Sequence, residues 1–458
     1  MLEVACELLN IDLKWQEDKI NDTGLFDMKV IGPSPSDESV IIIDLKVAVD
    51  DIVEAGDVLA EIEATKSTGE IISPVKGKIK SIFVKNDESI FVGENLLQIE
   101  EINDGKASSQ NLNSIQSNKI AKLTLKSNQN KVTATVSSNH KVGVCIPEFK
   151  TGSRKVMNSE LLVNFADRTD SDIVSLTGIK SRFWLEKDET LVSIAAKASI
   201  NTLQKNNLKL QDIDYIICAT CSPDKYISPS MASNVLFELY KKYGEHHISA
   251  VDINAACSGY LYALSQANDY LKDKPNKRVL VLTAEAMSKK TNPKDFNTAF
   301  IFADAASATI VVGSEYLSEA KATIKNISLS SIACDPITLN IPIDDSVVLQ
   351  GKYVFTNAVK YMSKSLYQSC ALASLKLQDL SVVIPHQANQ RITSGVERRL
   401  KLSKNTLYSN IEAYGNTSSS TIPIAMNECI NEYSRGNNIA LCAFGSGFTY
   451  GSILLEII

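Results

Sequence analysis

Apolar and polar positions follow two rhythms along this chain. Between about Met28 and Glu101 they alternate in short runs: VIIIDLKVAV, VLAEIEA, GEIISPV, GKIKSIFV and NLLQIE. Asp, Gly, Pro or Asn bounds each run, and this period of two predicts a small all-β unit over residues 26–102. From about Ala121 onward, β-branched runs mix with apolar residues at helical spacing. DYIICAT (Asp214 to Thr220) predicts a buried strand, and SPSMASNVLFELYKKYG predicts a helix that stops at Gly244. ISAVDIN predicts a second strand, CSGYLYALSQANDYLKD a helix, and RVLVLTAEA a third strand. Such strand–helix–strand units predict a largely parallel sheet buried between helices. The alternation returns after Val354 with a helix, SVVIPHQ, another helix, NNIALCAFGSG and YGSILLEI. Two βα halves in series predict a layered α/β/α/β/α domain over residues 121–458. Residues 103–120, rich in Ser, Asn and Gln without a period, read as a flexible linker, and residues 1–25 as a helical N-terminal extension.

Composition narrows the function classes. A length of 458 residues suits two or three folding units, and 44% hydrophobic with 22% charged residues is ordinary for a globular protein. The net charge of −6 argues against a nucleic-acid surface. No apolar run reaches the roughly 18 residues of a membrane span, and the acidic, amphipathic start does not resemble a signal peptide. Nine cysteines without framework spacing point to reduced thiols in a cytoplasm. Cys218 and Cys221 form a CxxC pair without a second pair, and His246 and His247 lack a third ligand, so no metal is expected.

The segment VDINAACSGYLYAL (Val251 to Leu264) runs from a strand into a helix that begins at or just after Cys257. A thiol at a helix N-terminus feels the positive end of the dipole, which lowers its pKa and favours the thiolate. Small neighbours (Ala255, Ala256, Ser258, Gly259) would let a thioester approach the sulfur. On these grounds alone an inert buried cysteine and a nucleophile are equally well supported. Two segments break the tie. SVVIPHQANQRI places His386 just beyond an apolar strand, and NIEAYGNTSSSTIPIAM places Asn416 in a turn before a helix. Strand-to-helix junctions aim side chains over the edge of a sheet, where α/β active sites form. A cysteine, an imidazole and an amide supply a nucleophile and two donors for an enolate oxygen.

With these motifs the sequence resembles the ketoacyl–acyl carrier protein synthase III family across roughly Lys141 to Ile458. The matching pieces are TGIKSR, DINAACSG, PHQANQRI, YGNTSSSTIP and AFGSGFTYGS, in order. The resemblance implies a thiolase fold, a homodimer, and Cys257 as the acyl-accepting nucleophile. It implies that His386 and Asn416 polarise a malonyl thioester carbonyl during decarboxylation. It also implies an oxyanion hole built from the backbone amides of Cys257 and Ser446, where Ser446 replaces the middle residue of a triple glycine. Arg391, Arg398 and Arg399 fall on the helix with which the family holds acyl carrier proteins. Where relatives grip coenzyme A with a tryptophan and two arginines, this chain has Asp172, Leu176 and Phe296, so starter units are expected on a carrier.

The N-terminal unit resembles a biotinyl/lipoyl carrier domain. Lys66 falls where that family attaches its cofactor at a hairpin tip, and Gly77 lies eleven residues beyond, as the family's second turn requires. Asp50 stands in place of a turn glycine sixteen residues before the lysine. Biotin acceptors carry Met on both sides and lipoyl acceptors carry Asp-Lys-Ala; Thr65-Lys66-Ser67 is nearer the second. Covalent lipoylation of Lys66, biotinylation, and an unmodified docking domain all stay open, with lipoyl placed before biotin; condensation itself implies no cofactor. The expected reaction is therefore a decarboxylative Claisen condensation of a Cys-bound acyl group with a malonyl-type carrier thioester, in fatty-acid-like or polyketide and other specialised biosynthesis. Acyl transfer to oxygen or nitrogen of a small molecule, and a scaffold role beside an active homologue, are the alternatives.

Overall fold

In a computed structural model the chain divides into two compact units, one within residues 1–136 and one within 137–458. The structure describes residues 25–30, 39–54, 56–64, 67–73, 75–91, 94–101, 141–403 and 406–458. The linker at 103–120, nearly all of the 1–25 extension, residues 121–140 and Lys66 lie outside the described residues.

The first unit is all β. Its strands are β1 (Leu25–Lys29), β2 (Ser39–Leu45), β3 (Ile52–Val53), β4 (Val58–Ala64), β5 (Ser67–Ile72), β6 (Gly77–Ile82), β7 (Ser89–Phe91) and β8 (Asn95–Glu101). They form two antiparallel sheets ordered β1-β8-β6-β3 and β5-β4-β2-β7. The period-two pattern explains the packing: Val40 and Ile42 are buried, whereas Ile41 and Ile43 between and beyond them face out. Buried Met28, Ile62, Ile71, Leu97 and Ile99 complete a core shared by both sheets. Asp50, in its glycine-like position, has φ 77°, a left-handed conformation that Asp tolerates better than most residues, and pairs with Lys78 at 2.8 Å. Gly77 serves a close approach, because a Cβ there would lie 2.6 Å from the Glu100 carbonyl oxygen. Ala64 of β4 pairs with Ser67 of β5, so positions 65 and 66 connect two paired strands.

The second unit contains β9 (Gly143–Val144), β10 (Glu148–Thr151), β11 (Arg154–Met157), β12 (Ser181–Trp184), β13 (Tyr215–Ser222), β14 (Ser249–Ile253), β15 (Arg278–Ala286), β16 (Asp304–Val312), β17 (Ala322–Ser331), β18 (Leu339–Asn340), β19 (Val348–Leu349), β20 (Leu380–Pro385), β21 (Asn438–Gly445) and β22 (Thr449–Ile457). The main path runs β14-β13-β15-β16-β9-β17-β22-β21-β20. Parallel pairing is confined to β13/β14, β13/β15 and β20/β21, and the middle of the path is antiparallel. The expectation of a largely parallel sheet is corrected accordingly. Only residues 446–448 separate β21 from β22, too few for the crossover that parallel strands require.

Seven longer helices accompany these strands: α1 (Asp170–Thr177), α2 (Leu191–Lys205), α3 (Met231–Tyr243), α4 (Gly259–Leu271), α5 (Gly351–Leu372), α6 (Gln390–Leu400) and α7 (Thr421–Cys429). Alternation along the strands sets the layers. Ile217 and Val281 face α4 and α7 in one cluster, joined from the other half by Ile384, Leu441 and Ile453. Their neighbours Ile216, Cys218, Leu280 and Leu282 face α2 and α3. In the second half Val383, Ala440, Cys442 and Leu454 face α5 and α6. Each half-sheet is thus apolar on both faces, with α4 and α7 between the halves and a helix pair outside each, giving α/β/α/β/α. Among the described residues no helix is long and apolar enough to cross a membrane.

Candidate active site

Strand β14 ends at Ile253, and the chain turns through Asn254 and Ala255 into a single 3-10 turn, Ala256–Ser258, before α4 starts at Gly259. Ala256 has φ 48°, a conformation that costs a residue with a Cβ roughly 1–2 kcal/mol. The Asn254 side-chain oxygen accepts a bond from the Ala256 N–H at 3.1 Å and braces the turn. Gly259 is required by proximity, since a Cβ there would lie 2.9 Å from the Ala219 side chain. The β21–β22 turn clamps the other side. Ser258 Oγ donates to the Thr449 carbonyl at 3.0 Å, and Thr449 Oγ1 donates to the Ala255 carbonyl at 2.8 Å. A Cβ on Gly445 would meet the Cys257 amide nitrogen at 2.8 Å, so the residue before Ser446 presses directly on the Cys257 backbone.

His386 follows β20, with its N–H bonded to the Cys442 carbonyl at 2.8 Å. Its Nδ1 lies 2.7 Å from Thr421 Oγ1 at the start of α7. Burial pushes the imidazole pKa down to about 3, so the ring is neutral at physiological pH. Asn416 does not end a strand as expected. It follows a short helix (Ile411–Tyr414) and forms an isolated bridge with Phe302, its N–H bonding to the Ile301 carbonyl and its carbonyl accepting from Ala303. The Asn416 side-chain oxygen accepts from the Ser418 N–H at 2.8 Å, which leaves the NH₂ as the donor end of the amide.

Cys257, His386 and Asn416 line one cavity of about 450 Å³. Its other walls are mostly apolar, among them Leu339, Leu349, Met362, Phe302 and Phe444. Burial raises the Cys257 thiol to about 12, opposed by the Ser418 hydroxyl and assisted by the charge of Glu285. Cys257 lies in the 3-10 turn that runs directly into α4, and there desolvation in the apolar pocket works against the lowering expected from a helix dipole. Ser446 lies in the turn after β21, its hydroxyl donating to the Leu339 carbonyl at 2.6 Å.

Arg391, Arg398 and Arg399 are all exposed on α6, and Arg391 also lines the cavity. Leu176 and Phe296 line it as well, whereas Asp172 caps α1 through the Thr169 N–H at 2.8 Å. Arg168 sits 4.8 Å over the Phe296 ring. Four residues escaped the sequence reading: Glu285, Ser418, Thr421 and Gly445. For Glu285 a signal was present, an ionisable residue near the end of the otherwise apolar run RVLVLTAEA. Cys221 of the CxxC pair packs beside it, its Sγ 3.5 Å from Glu285 Oε2.

Known proteins resemble both units of the chain. A family described as 3-oxoacyl-[acyl-carrier-protein (ACP)] synthase III matches residues 251–331, and its C-terminal counterpart matches residues 370–457. A family described as biotin-requiring enzyme matches residues 27–99. The beta-ketoacyl-[acyl-carrier-protein] synthase III of Clostridium perfringens (strain ATCC 13124) is 33% identical over 320 residues, covering 66% of this chain and 96% of the relative. The crystal structure of 3-oxoacyl-[acyl-carrier-protein] synthase III from Aquifex aeolicus VF5 aligns with a TM-score of 0.63 at 32% identity, over 69% of this chain and 99% of that one. The priming beta-ketosynthase from the R1128 polyketide biosynthetic pathway aligns with a TM-score of 0.61 at 26% identity, over 69% of this chain and 96% of that one.

The second unit is therefore a thiolase fold, and the protein is a condensing enzyme of the acyltransferase class. The chain belongs to the beta-ketoacyl-[acyl-carrier-protein] synthase III family and carries an N-terminal biotinyl/lipoyl domain.

Proposed function

We propose that this chain accepts an acyl group from a thioester onto Cys257 and extends it by decarboxylative Claisen condensation with a malonyl-type carrier thioester, in fatty-acid or polyketide biosynthesis. The observation that carries the reading is the convergence of Cys257, a neutral His386 and Asn416 on one apolar cavity. In loading, the thiol sulfur attacks the thioester carbonyl, and the amides of Cys257 and Ser446 hold the oxyanion. In condensation, carbon dioxide leaves the malonyl unit. Its enolate oxygen then rests on donors from His386 Nε2 and the Asn416 NH₂. For Nε2 to carry the proton, Nδ1 must accept from the Thr421 hydroxyl, 2.7 Å away, in place of the bond that hydroxyl makes to the Ser418 carbonyl at 3.0 Å. The enolate carbon attacks the acyl carbonyl and expels the Cys257 sulfur.

The apolar walls suit the acyl chain, and the mouth suits a carrier better than free coenzyme A. Leu176 and Phe296 themselves offer no charge to a phosphate, which leaves Arg168 over the Phe296 ring and Lys352 in the wall as nearby cations, while Arg391 beside the cavity and Arg398 and Arg399 beyond it suit an acidic acyl carrier protein. The remaining parts of this reading are a homodimer, supported by β14 as a terminal strand of the sheet, and a lipoyl group on Lys66 (before biotin), supported by its place between β4 and β5. The division into 26–102, 103–120 and 121–458 belongs here too, with a cytoplasmic setting suited to the eight described free cysteines. Intact-protein mass spectrometry after incubation with acyl thioesters tests the central step. The acyl mass should map to the Cys257 peptide and vanish in Cys257→Ala; full acylation of that variant would overturn the assignment.

A further inference from the structure

Loading leaves a chemical problem unsolved. Burial raises the Cys257 thiol and so favours its protonated form, and the acyl-transfer step must remove that proton. His386 is poorly suited, because burial depresses its basicity and its one side-chain bond is to Thr421. A different group stands behind the sulfur. Ser418 Oγ lies 3.6 Å from Cys257 Sγ and 3.1 Å from Glu285 Oε1, so one hydroxyl touches both the nucleophile and a carboxylate.

The carboxylate is itself built in with care for its charge. Glu285 is fully buried near the end of β15 and forms no ion pair among the described residues. Its partners are neutral donors: Ser222 Oγ at 2.5 Å, Ser419 Oγ at 2.6 Å, and the N–H groups of Cys221 at 3.2 Å and Ser419 at 3.4 Å. Burial outweighs these bonds and raises its pKa, which makes it a better proton acceptor than an ordinary carboxylate. Other titratable groups face it from the packed elements: Cys221 and Cys218 from β13 and Cys257 from the 3-10 turn. Asp304 of β16 and Asp252 of β14 are engaged elsewhere, the first by Ser288 and the second by the N–H groups of Met231 and Ala232. Ser418, at φ 51°, is a strained residue whose left-handed backbone lies in the turn that carries its hydroxyl between the two groups.

We propose that Glu285, acting through the Ser418 hydroxyl, takes the Cys257 proton during acyl loading and returns it when condensation expels the sulfur. In loading, the thiol proton passes to Ser418 Oγ as the Ser418 proton passes to Glu285 Oε1. The new C–S bond forms to Cys257, and the departing thiolate takes its proton from solvent. In condensation the enolate carbon bonds to the acyl carbon, the Cys257 C–S bond breaks, and the same path runs backwards to restore the thiol. One proton enters from solvent per turnover, matching the proton consumed when a malonyl thioester loses carbon dioxide. Glu285 is thus a positioning and proton-holding residue; only Ser418 touches the reacting sulfur. The inference rests on Cys257 being the nucleophile proposed above.

The pH profile of Cys257 alkylation by iodoacetamide, followed on its own peptide by mass spectrometry, tests this without any acyl donor. Internal transfer to Glu285 changes no net protonation, so the full-length wild-type protein should alkylate at a rate nearly independent of pH over the range in which Glu285 stays ionised. The rate should fall at lower pH, where Glu285 itself is protonated. In Glu285→Gln the thiolate must form by loss to solvent. Its rate should rise tenfold per pH unit and at pH 7 lie roughly 10²-fold below wild type. Should Glu285→Gln fail to fold by thermal melting, Ser418→Ala breaks the same path with the carboxylate left in place and should give the same sloping profile. A retained plateau in the folded variant, whether at wild-type rate or uniformly lowered, overturns the relay and leaves Glu285 a structural anchor. Failure of wild-type acylation by any thioester would instead remove the acyl-transfer reading while leaving the alkylation result intact.

Discussion

At the residue scale, the proposed reaction gives Cys257, His386 and Asn416 different steps to serve. Asn416 holds its amide oxygen on the Ser418 N–H, so its NH₂ is oriented before substrate arrives. Asn416→Ala should keep acyl-enzyme formation but slow malonyl decarboxylation by about 10²–10³-fold, the usual cost of losing one oxyanion donor. Decarboxylation within a few-fold of wild type, measured by carbon dioxide release, would contradict the enolate role. His386 should remain neutral by ¹⁵N NMR from pH 8 down to pH 5, because burial holds its pKa near 3. The sign for stability follows: the unfolded imidazole protonates near its ordinary value of about 6.5, while the folded one cannot until far lower. This contribution is complete above pH 6.5 and is lost progressively as pH falls toward 3. Removing the group with His386→Asn should flatten that part of the unfolding profile.

Elements deliver these residues, and the least tolerant junction is where β21 meets the 3-10 turn at Cys257. A methyl on Gly445 would stand 2.8 Å from the Cys257 N and 3.1 Å from the Ser258 N, neither of which can retreat without moving the nucleophile. Gly445→Ala should cost roughly 1–3 kcal/mol in denaturant unfolding and slow acylation more than that loss suggests. A variant as stable and active as wild type would show that the turn has slack. On α6, Arg391 and Arg398 are seven residues apart, about 10 Å along the helix, and both are exposed. Loading from a carrier thioester should be at least tenfold faster than from the coenzyme A thioester. Arg391→Glu with Arg398→Glu should erase that advantage and weaken its salt dependence. Equal loading by both donors in the unmutated protein would contradict the carrier preference.

Over the whole molecule, two units of different texture share one chain. Among the described residues the first packs fifteen buried apolar side chains between two small sheets, and the second layers helices about a mixed sheet. Lys66 lies between strands whose last pair is Ala64 opposite Ser67. Native protein should show a lipoyl mass on the tryptic peptide containing Lys66. An unmodified peptide, with other lipoylated proteins detected alongside, would favour the docking-domain state.

Much of this was legible before any coordinates. The period-two runs marked the β strands of the first unit, and RVLVLTAEA matched β15 residue for residue, its Thr283 and Glu285 being as buried as its apolar neighbours. The motifs also singled out Cys257, His386 and Asn416, each in a short stretch of local sequence, and the three line one cavity. Asp50 could be recognised as a turn residue because a left-handed backbone limits the side chains it accepts. Other features depended on contacts distant in sequence. That α4 and α7 lie between the two half-sheets follows from packing residues more than a hundred positions apart. The antiparallel centre of the sheet needed strand order, which periodicity does not carry. Most of all, the protonation of the site was decided by tertiary structure: desolvation raises Cys257 and lowers His386, and it is the summed effect of walls drawn from many elements. The residue types proposed for the chemistry were written into local sequence. Their charge states, and the buried carboxylate of Glu285 behind the sulfur, arise only once folding has excluded water around them.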